Sequence, residues 1–159
     1  MVGLFVLAVL VRPQAPLLPT GSTAPSIQLR STSGRLLNAN AAAAHHALIV
    51  EFIEASGVTC QQKAPVICTD SVAFSRDLFV MIGAGGESAQ PLTDFAARYL
   101  PRTCAVTLLV DPMLQATHAY QAAVVPTVYI VDAQGRIAYS SVAASGIDGV
   151  APALQKIDG

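Results

Sequence analysis

Residues 47–53 read Ala-Leu-Ile-Val-Glu-Phe-Ile, a continuous apolar run broken only by Glu51. A strand with one wet face alternates apolar and polar residues; a run without alternation belongs to a strand covered on both faces. Leu78–Ile82 and Val106–Val110 are runs of the same kind, and helical segments separate all three. Strands buried on both faces need helices on both sides, which makes the chain a layered α/β domain. Composition agrees: hydrophobic residues are 53% of the chain and charged residues only 12%. Mean hydropathy is +0.53. That balance excludes a disordered chain, and 159 residues suffice for one domain with a proper core.

The remaining elements follow from local signals. Ile27–Arg30 and Leu36–Asn38 flank Ser33-Gly34 and read as a short hairpin. Asn40 is placed to cap an Ala-rich helical turn. A helix from about Cys60 to Ser75 sets Ala64, Ile67, Cys68 and Val72 on one side. The strand Leu78–Ile82 ends in Gly83-Ala84-Gly85-Gly86. Pro91–Leu100 is helical, with Leu92, Phe95, Ala96 and Tyr99 on one face. Pro112–Tyr120 reads as a helix with Pro in its first turn, where a missing N–H costs nothing. Val128–Val131 and Arg136–Val142 are joined by Asp132-Ala133-Gln134-Gly135, a turn with Gly last. A final helix runs from about Asp148 to Ile157. The order βα-βα-β-α-ββ-α behind an N-terminal extension predicts a mixed sheet with helices on both faces.

The N-terminal end is different in character. Val2–Val11 is apolar throughout, yet shorter than the roughly 20 residues a bilayer span needs. It lacks the positive n-region of a signal peptide. A Pro-rich stretch with Pro13, Pro16 and Pro19 follows. We read residues 2–11 as the remnant of a membrane tether and residues 1–20 as tether plus linker, with the folded domain at 21–159. The alternative is an N-terminal strand or a loosely attached arm. The tether reading expects an extracytoplasmic domain; without it the domain is cytoplasmic. Net charge is −1 and no basic run occurs, so nucleic acid is not an expected partner.

The residues of chemical interest lie where the central strand meets the next helix. Gly57-Val58-Thr59-Cys60 opens that helix, Glu51 lies upstream, and Val125-Pro126-Thr127 lies far downstream. Gly21-Ser22-Thr23-Ala24-Pro25, Ala64-Pro65, Asp111-Pro112, Tyr120 and Asp132-Ala133-Gln134-Gly135-Arg136-Ile137 occupy the intervals. In that order and spacing the chain resembles the thioredoxin superfamily, in its redoxin branch of AhpC/TSA-type and membrane-anchored TlpA-like proteins. The resemblance covers roughly residues 21–157. It implies a thioredoxin fold with an N-terminal β-hairpin extension. It further implies thiol–disulfide chemistry and antioxidant or redox-homeostasis roles, with protein or small-molecule thiols and disulfides as partners. No cofactor or metal is expected.

The resemblance also assigns positions. Gly57 stands where the family carries the attacking cysteine of Cys-x-x-Cys, whose thiolate the helix N-terminus stabilises. Cys60 matches the resolving cysteine, Glu51 the buried acid that takes its proton, and Pro126 the cis-proline beside the cysteines. On that reading the chain keeps the frame of the site and lacks its nucleophile. At most monothiol chemistry through Cys60 remains, because a lone thiol cannot close its own disulfide. A second reading is a non-catalytic module that grips extended polypeptide.

Each residue also has a purely structural reading. Cys60 reads equally as a small buried side chain, Glu51 as a structural acid, and Pro126 as a loop-shaping residue. A peroxidatic role for Cys60 fails on sequence. The Pro-x-x-x-Thr-x-x-Cys pattern would need Thr at 57 and Pro at 53, where Gly57 and Ile53 stand. The family's peroxide-holding Arg would fall about where Pro126 is. Cys68 lies eight residues beyond Cys60, about 12 Å along a helix, too far for a disulfide between them. Cys68 is read as core, and Cys104 as free, facing Cys68, or facing an outside partner. Gly83-Ala84-Gly85-Gly86 has Ser88 where a dinucleotide loop needs its third Gly, so it reads as an ordinary connection. His45, His46 and His118 read as surface residues.

Overall fold

The computed structural model describes residues 16–159. The chain enters through strands β1 (Gln28–Ser31) and β2 (Leu36–Asn38), then a short helix α1 (Ala39–Ala43). The central strand β3 (Leu48–Ile53), helix α2 (Val58–Ala73), strand β4 (Leu78–Gly83) and helix α3 (Ala89–Tyr99) follow. Strand β5 (Val106–Val110) and helix α4 (Gln115–Ala119) lead to the hairpin β6 (Thr127–Val131) and β7 (Ile137–Val142). Helices α5 (Ala143–Asp148) and α6 (Val150–Asp158) close the chain.

All seven strands form one mixed sheet in the order β2-β1-β5-β4-β3-β6-β7. β3 runs parallel to β4, and β4 parallel to β5. β6 is antiparallel to β3, with Glu51 opposite Val128 and Phe52 opposite Thr127. The β3 strand is buried at every position, as its unbroken apolar run predicts. Alternate residues divide between two cores. Leu48, Val50 and Phe52 face α1 and α4, where Tyr120 and Tyr129 pack with Phe52 at centroid distances of 5.5 and 6.5 Å. Ile49 and Ile53 face α2, α3, α5 and α6, against Ala64, Ile67, Phe95 and Leu154. Leu17 and Leu18 pack on the first core, and Leu18 N–H donates to the Tyr129 hydroxyl at 3.1 Å.

Several sequence expectations are corrected in detail. The cap of α1 is Asn38, which accepts from Ala41 N–H; Asn40 instead accepts from Ile27 N–H and holds the hairpin. Val72 is 51% exposed. The buried stripe of α2 takes Ser71 in its place, because the Ser71 hydroxyl donates to Cys68 C=O and accepts Ala105 N–H. The helix expected from Pro112 begins only at Gln115. Leu114 adopts a left-handed conformation, and the buried Asp111 carboxylate collects Gln115 N–H, Thr117 N–H and the Thr117 hydroxyl. The closing helix is two helices divided at Gly149. A Cβ there would collide with the Tyr139 hydroxyl, whose own hydrogen bond goes to Gly146 C=O.

The residues 2–11 read as a tether lie outside the described residues. Among the described residues no helix is long and apolar enough to cross a membrane.

Candidate functional site

In open α/β sheets, ligand sites form beyond the carboxyl ends of parallel strands. Here β3 and β4 deliver Glu54 and Ala84 to that edge. The chain turns tightly after β3, with Gly57 N–H donating to Glu54 C=O at 2.9 Å, and enters α2 at Val58. Gly57 is the helix cap and has no side chain with which to cap it. Its φ of −71° is open to any residue, so its conformation does not demand glycine. Gln61 ties the turn down by donating from Nε2 to Ala55 C=O at 2.9 Å.

Cys60 sits in the first turn of α2 and is 1% exposed. It is the free cysteine. A helix N-terminus ordinarily favours a thiolate. Burial outweighs that here and pushes the thiol up to about 11, from an ordinary 9.0. A backbone hydrogen bond at Glu54 pulls it down, while the Glu51 and Glu54 carboxylates add to the rise. Near neutral pH the buried sulfur is therefore held as the thiol.

Glu51 lies in the middle of β3, on the face that carries Ile49 and Ile53 toward α2. It is fully buried, and neither carboxylate oxygen has a hydrogen-bond partner. Burial pushes its acid up to about 8, so it is mostly protonated at neutral pH. The thiol and the acid therefore share one side of the sheet, both in their neutral forms. Pro126 is buried immediately before β6, and the Val125–Pro126 peptide is cis. Pro126 C=O accepts Ala143 N–H. Among the described residues, no hydrogen bond engages the backbone N–H or C=O of Val125.

Cys68 is not a plain core residue. It forms a disulfide with Cys104, the pairing left open above, and the bond ties α2 to the loop before β5. Cys68 lies in the far half of α2 and Cys104 in the loop before β5, and Cys60 takes no part in the bridge. Among the described residues no group of three or more His, Cys, Asp or Glu is arranged to hold a metal. His45, His46 and His118 are all exposed.

Glu87 escaped the sequence reading. One carboxylate oxygen accepts Ala55 N–H at 2.8 Å and the other accepts Gly85 N–H at 3.0 Å. It thereby binds the loop after β4 to the loop after β3. The signal was present: an acid directly after a glycine-rich turn at a strand's carboxyl end. Gly83 permits the approach, since a Cβ there would meet Glu87 Oε2 and Leu92 at 2.9 Å.

No protein-family model and no curated protein matches the chain. Solved structures do. The chain is similar to a putative thiol:disulfide interchange protein DsbE from Chlorobium tepidum, with a TM-score of 0.76 at 16% identity over 89% of this chain and 99% of that one. A secreted Mycobacterium tuberculosis disulfide oxidoreductase homologous to E. coli DsbE aligns with a TM-score of 0.69 at 18% identity, covering 82% and 95%. The peroxidoxin BcpB from Mycobacterium tuberculosis gives 0.71 at 16%, covering 87% and 96%. The chain has a thioredoxin fold. In this thioredoxin fold β3 lies between β4 and β6, β7 forms one edge, and the β1–β2 hairpin extends the sheet beyond β5. The expected mixed sheet with helices on both faces and an N-terminal hairpin is the observed one.

Proposed function

We propose that this chain is a thioredoxin-fold protein of thiol–disulfide oxidoreductase type. On this reading its site binds extended polypeptide beside Val125 and Pro126 and supports at most monothiol exchange through Cys60. One observation carries the reading: Cys60 is 1% exposed and held as a thiol, with Gly57 where a second sulfur would stand. A lone buried thiol cannot sustain two-cysteine turnover. The free backbone edge at Val125 is a different matter. An extended segment can pair with an unpaired N–H and C=O without any help from sulfur. Partners are then proteins that carry thiols or disulfides, gripped by backbone rather than by covalent capture.

The same reading places the domain outside the cytoplasm. The Cys68–Cys104 disulfide supports this, because such bonds persist in oxidising compartments. A secreted protein among the similar folds is consistent with it.

The experiment compares wild type with Cys60→Ala. Both are expected to capture the same extended peptides, and neither to accelerate insulin reduction by dithiothreitol. Insulin reduction abolished by Cys60→Ala would replace this reading with an enzymatic one.

A further inference from the structure

A cavity of about 360 Å³ opens beside Val125, at the carboxyl edge of β3 and β4. Its walls are of two kinds. Ala84, Leu114, Ala122 and Val125 give it an apolar lining. Glu54 and Gln121 give it a polar end. Gln121 Oε1 is buried and has no hydrogen-bond partner. Its backbone is held at φ 53°. Glu54 is half-buried, and among the described residues its carboxylate has no ion-pair partner. A buried acceptor without a donor is costly, and so is a half-buried carboxylate without a cation. His118 stands exposed at the rim, and no Lys or Arg lines the cavity.

From this complementarity we infer that the cavity receives a lysine or arginine side chain of the extended polypeptide bound at Val125. The match is atom by atom in kind. The methylene stem of a basic side chain lies along apolar walls, and its head seeks oxygen acceptors. A cationic head both donates to the Glu54 carboxylate and balances its charge. The inference rests on the peptide-binding reading above and names its substrate class: chains with a basic residue at the position that passes the cavity.

The test is fluorescence anisotropy at pH 7.5 with labelled nonapeptide libraries. Their flanking positions are randomised and their central residue is fixed as Lys, Arg, norleucine or Glu. Wild type is expected to bind the Lys and Arg libraries on the order of tenfold more tightly than norleucine, and Glu weakest. Raising the salt should narrow that gap. Glu54→Gln should cut the preference for Lys over norleucine several-fold. Gln121→Asn, whose residue type tolerates a positive φ, should give an intermediate loss. Thermal melts of both variants check folding. Equal binding of all four libraries by wild type overturns this inference and leaves the peptide site standing. Binding of none overturns both.

Discussion

The Cβ position of Gly57 lies 3.6 Å from the Cβ of Cys60 and 3.2 Å from its sulfur. Disulfides hold their Cβ atoms about 3.5–4.5 Å apart. The backbone is thus already spaced for a bridge that the side chains cannot form.

Gly57→Cys is therefore expected to fold and, on oxidation, to form a disulfide with Cys60. The new thiol would cap α2 in the exposed turn, where the helix N-terminus favours a thiolate. Its pKa should fall below that of Cys60, read by absorbance of the thiolate. Insulin reduction should rise by an order of magnitude or more over wild type. A Cβ at 57 also lies 3.1 Å from Glu54 C=O, so a small shift of the turn must accompany the change. A folded variant whose two thiols refuse to oxidise would show that the site has drifted beyond one residue.

Cys60 itself should be nearly silent. With the thiol pushed up to about 11 and the sulfur buried, a thiol-specific disulfide reagent at pH 7.5 should label the native chain very slowly. Without reductant, denaturant should expose one thiol per chain, because Cys68 and Cys104 are bridged. Labelling should climb steadily beyond pH 9 rather than level off. A plateau reached below pH 8 would mean a reactive thiolate and overturn this view of the site.

Glu51 makes stability depend on pH. Its acid is raised from 4.5 to about 8 on folding, so the folded chain holds the proton more tightly than the unfolded one. The stability this confers is full below about pH 4.5 and is lost as pH rises through about 8. Glu51→Gln removes the titration. It should match wild type near pH 4.5 and exceed it by a few kcal/mol near pH 9, measured by urea unfolding at both pH values. An equal gain at the two pH values would assign the effect to packing instead.

The sheet was legible because β3, β4 and β5 bury both faces, and burial writes itself into sequence as unbroken apolar runs. Glu51 stood out for the same reason, as the lone polar residue in such a run. Gly57 and Cys60 were singled out only by resemblance to the thioredoxin Cys-x-x-Cys pattern. What stayed hidden depends on contacts between distant segments. Glu87 joins two loops through backbone N–H groups, which leave no mark in residue type. The start of α4 at Gln115 depends on Asp111 collecting three donors at once. The pairing of Cys68 with Cys104 was one of several open to Cys104, and only the packing of α2 against the loop before β5 selects it.

That bridge should be a structural staple. It joins residues 36 apart in sequence, and closing a loop of that length in the unfolded chain is worth about 4 kcal/mol. Cys68 is buried, and Ser71 one turn on makes a second link between the same segments by accepting Ala105 N–H. The double variant Cys68→Ala/Cys104→Ala should therefore stay folded but lose about 2–4 kcal/mol. The corresponding drop in melting temperature is roughly 5–15 °C. Labelling of Cys60 in the folded variant should not change, since the sulfur lies at the other end of α2. A loss under about 1 kcal/mol in urea unfolding would remove the staple role. Faster Cys60 labelling at unchanged stability would instead make the bridge a control on the site.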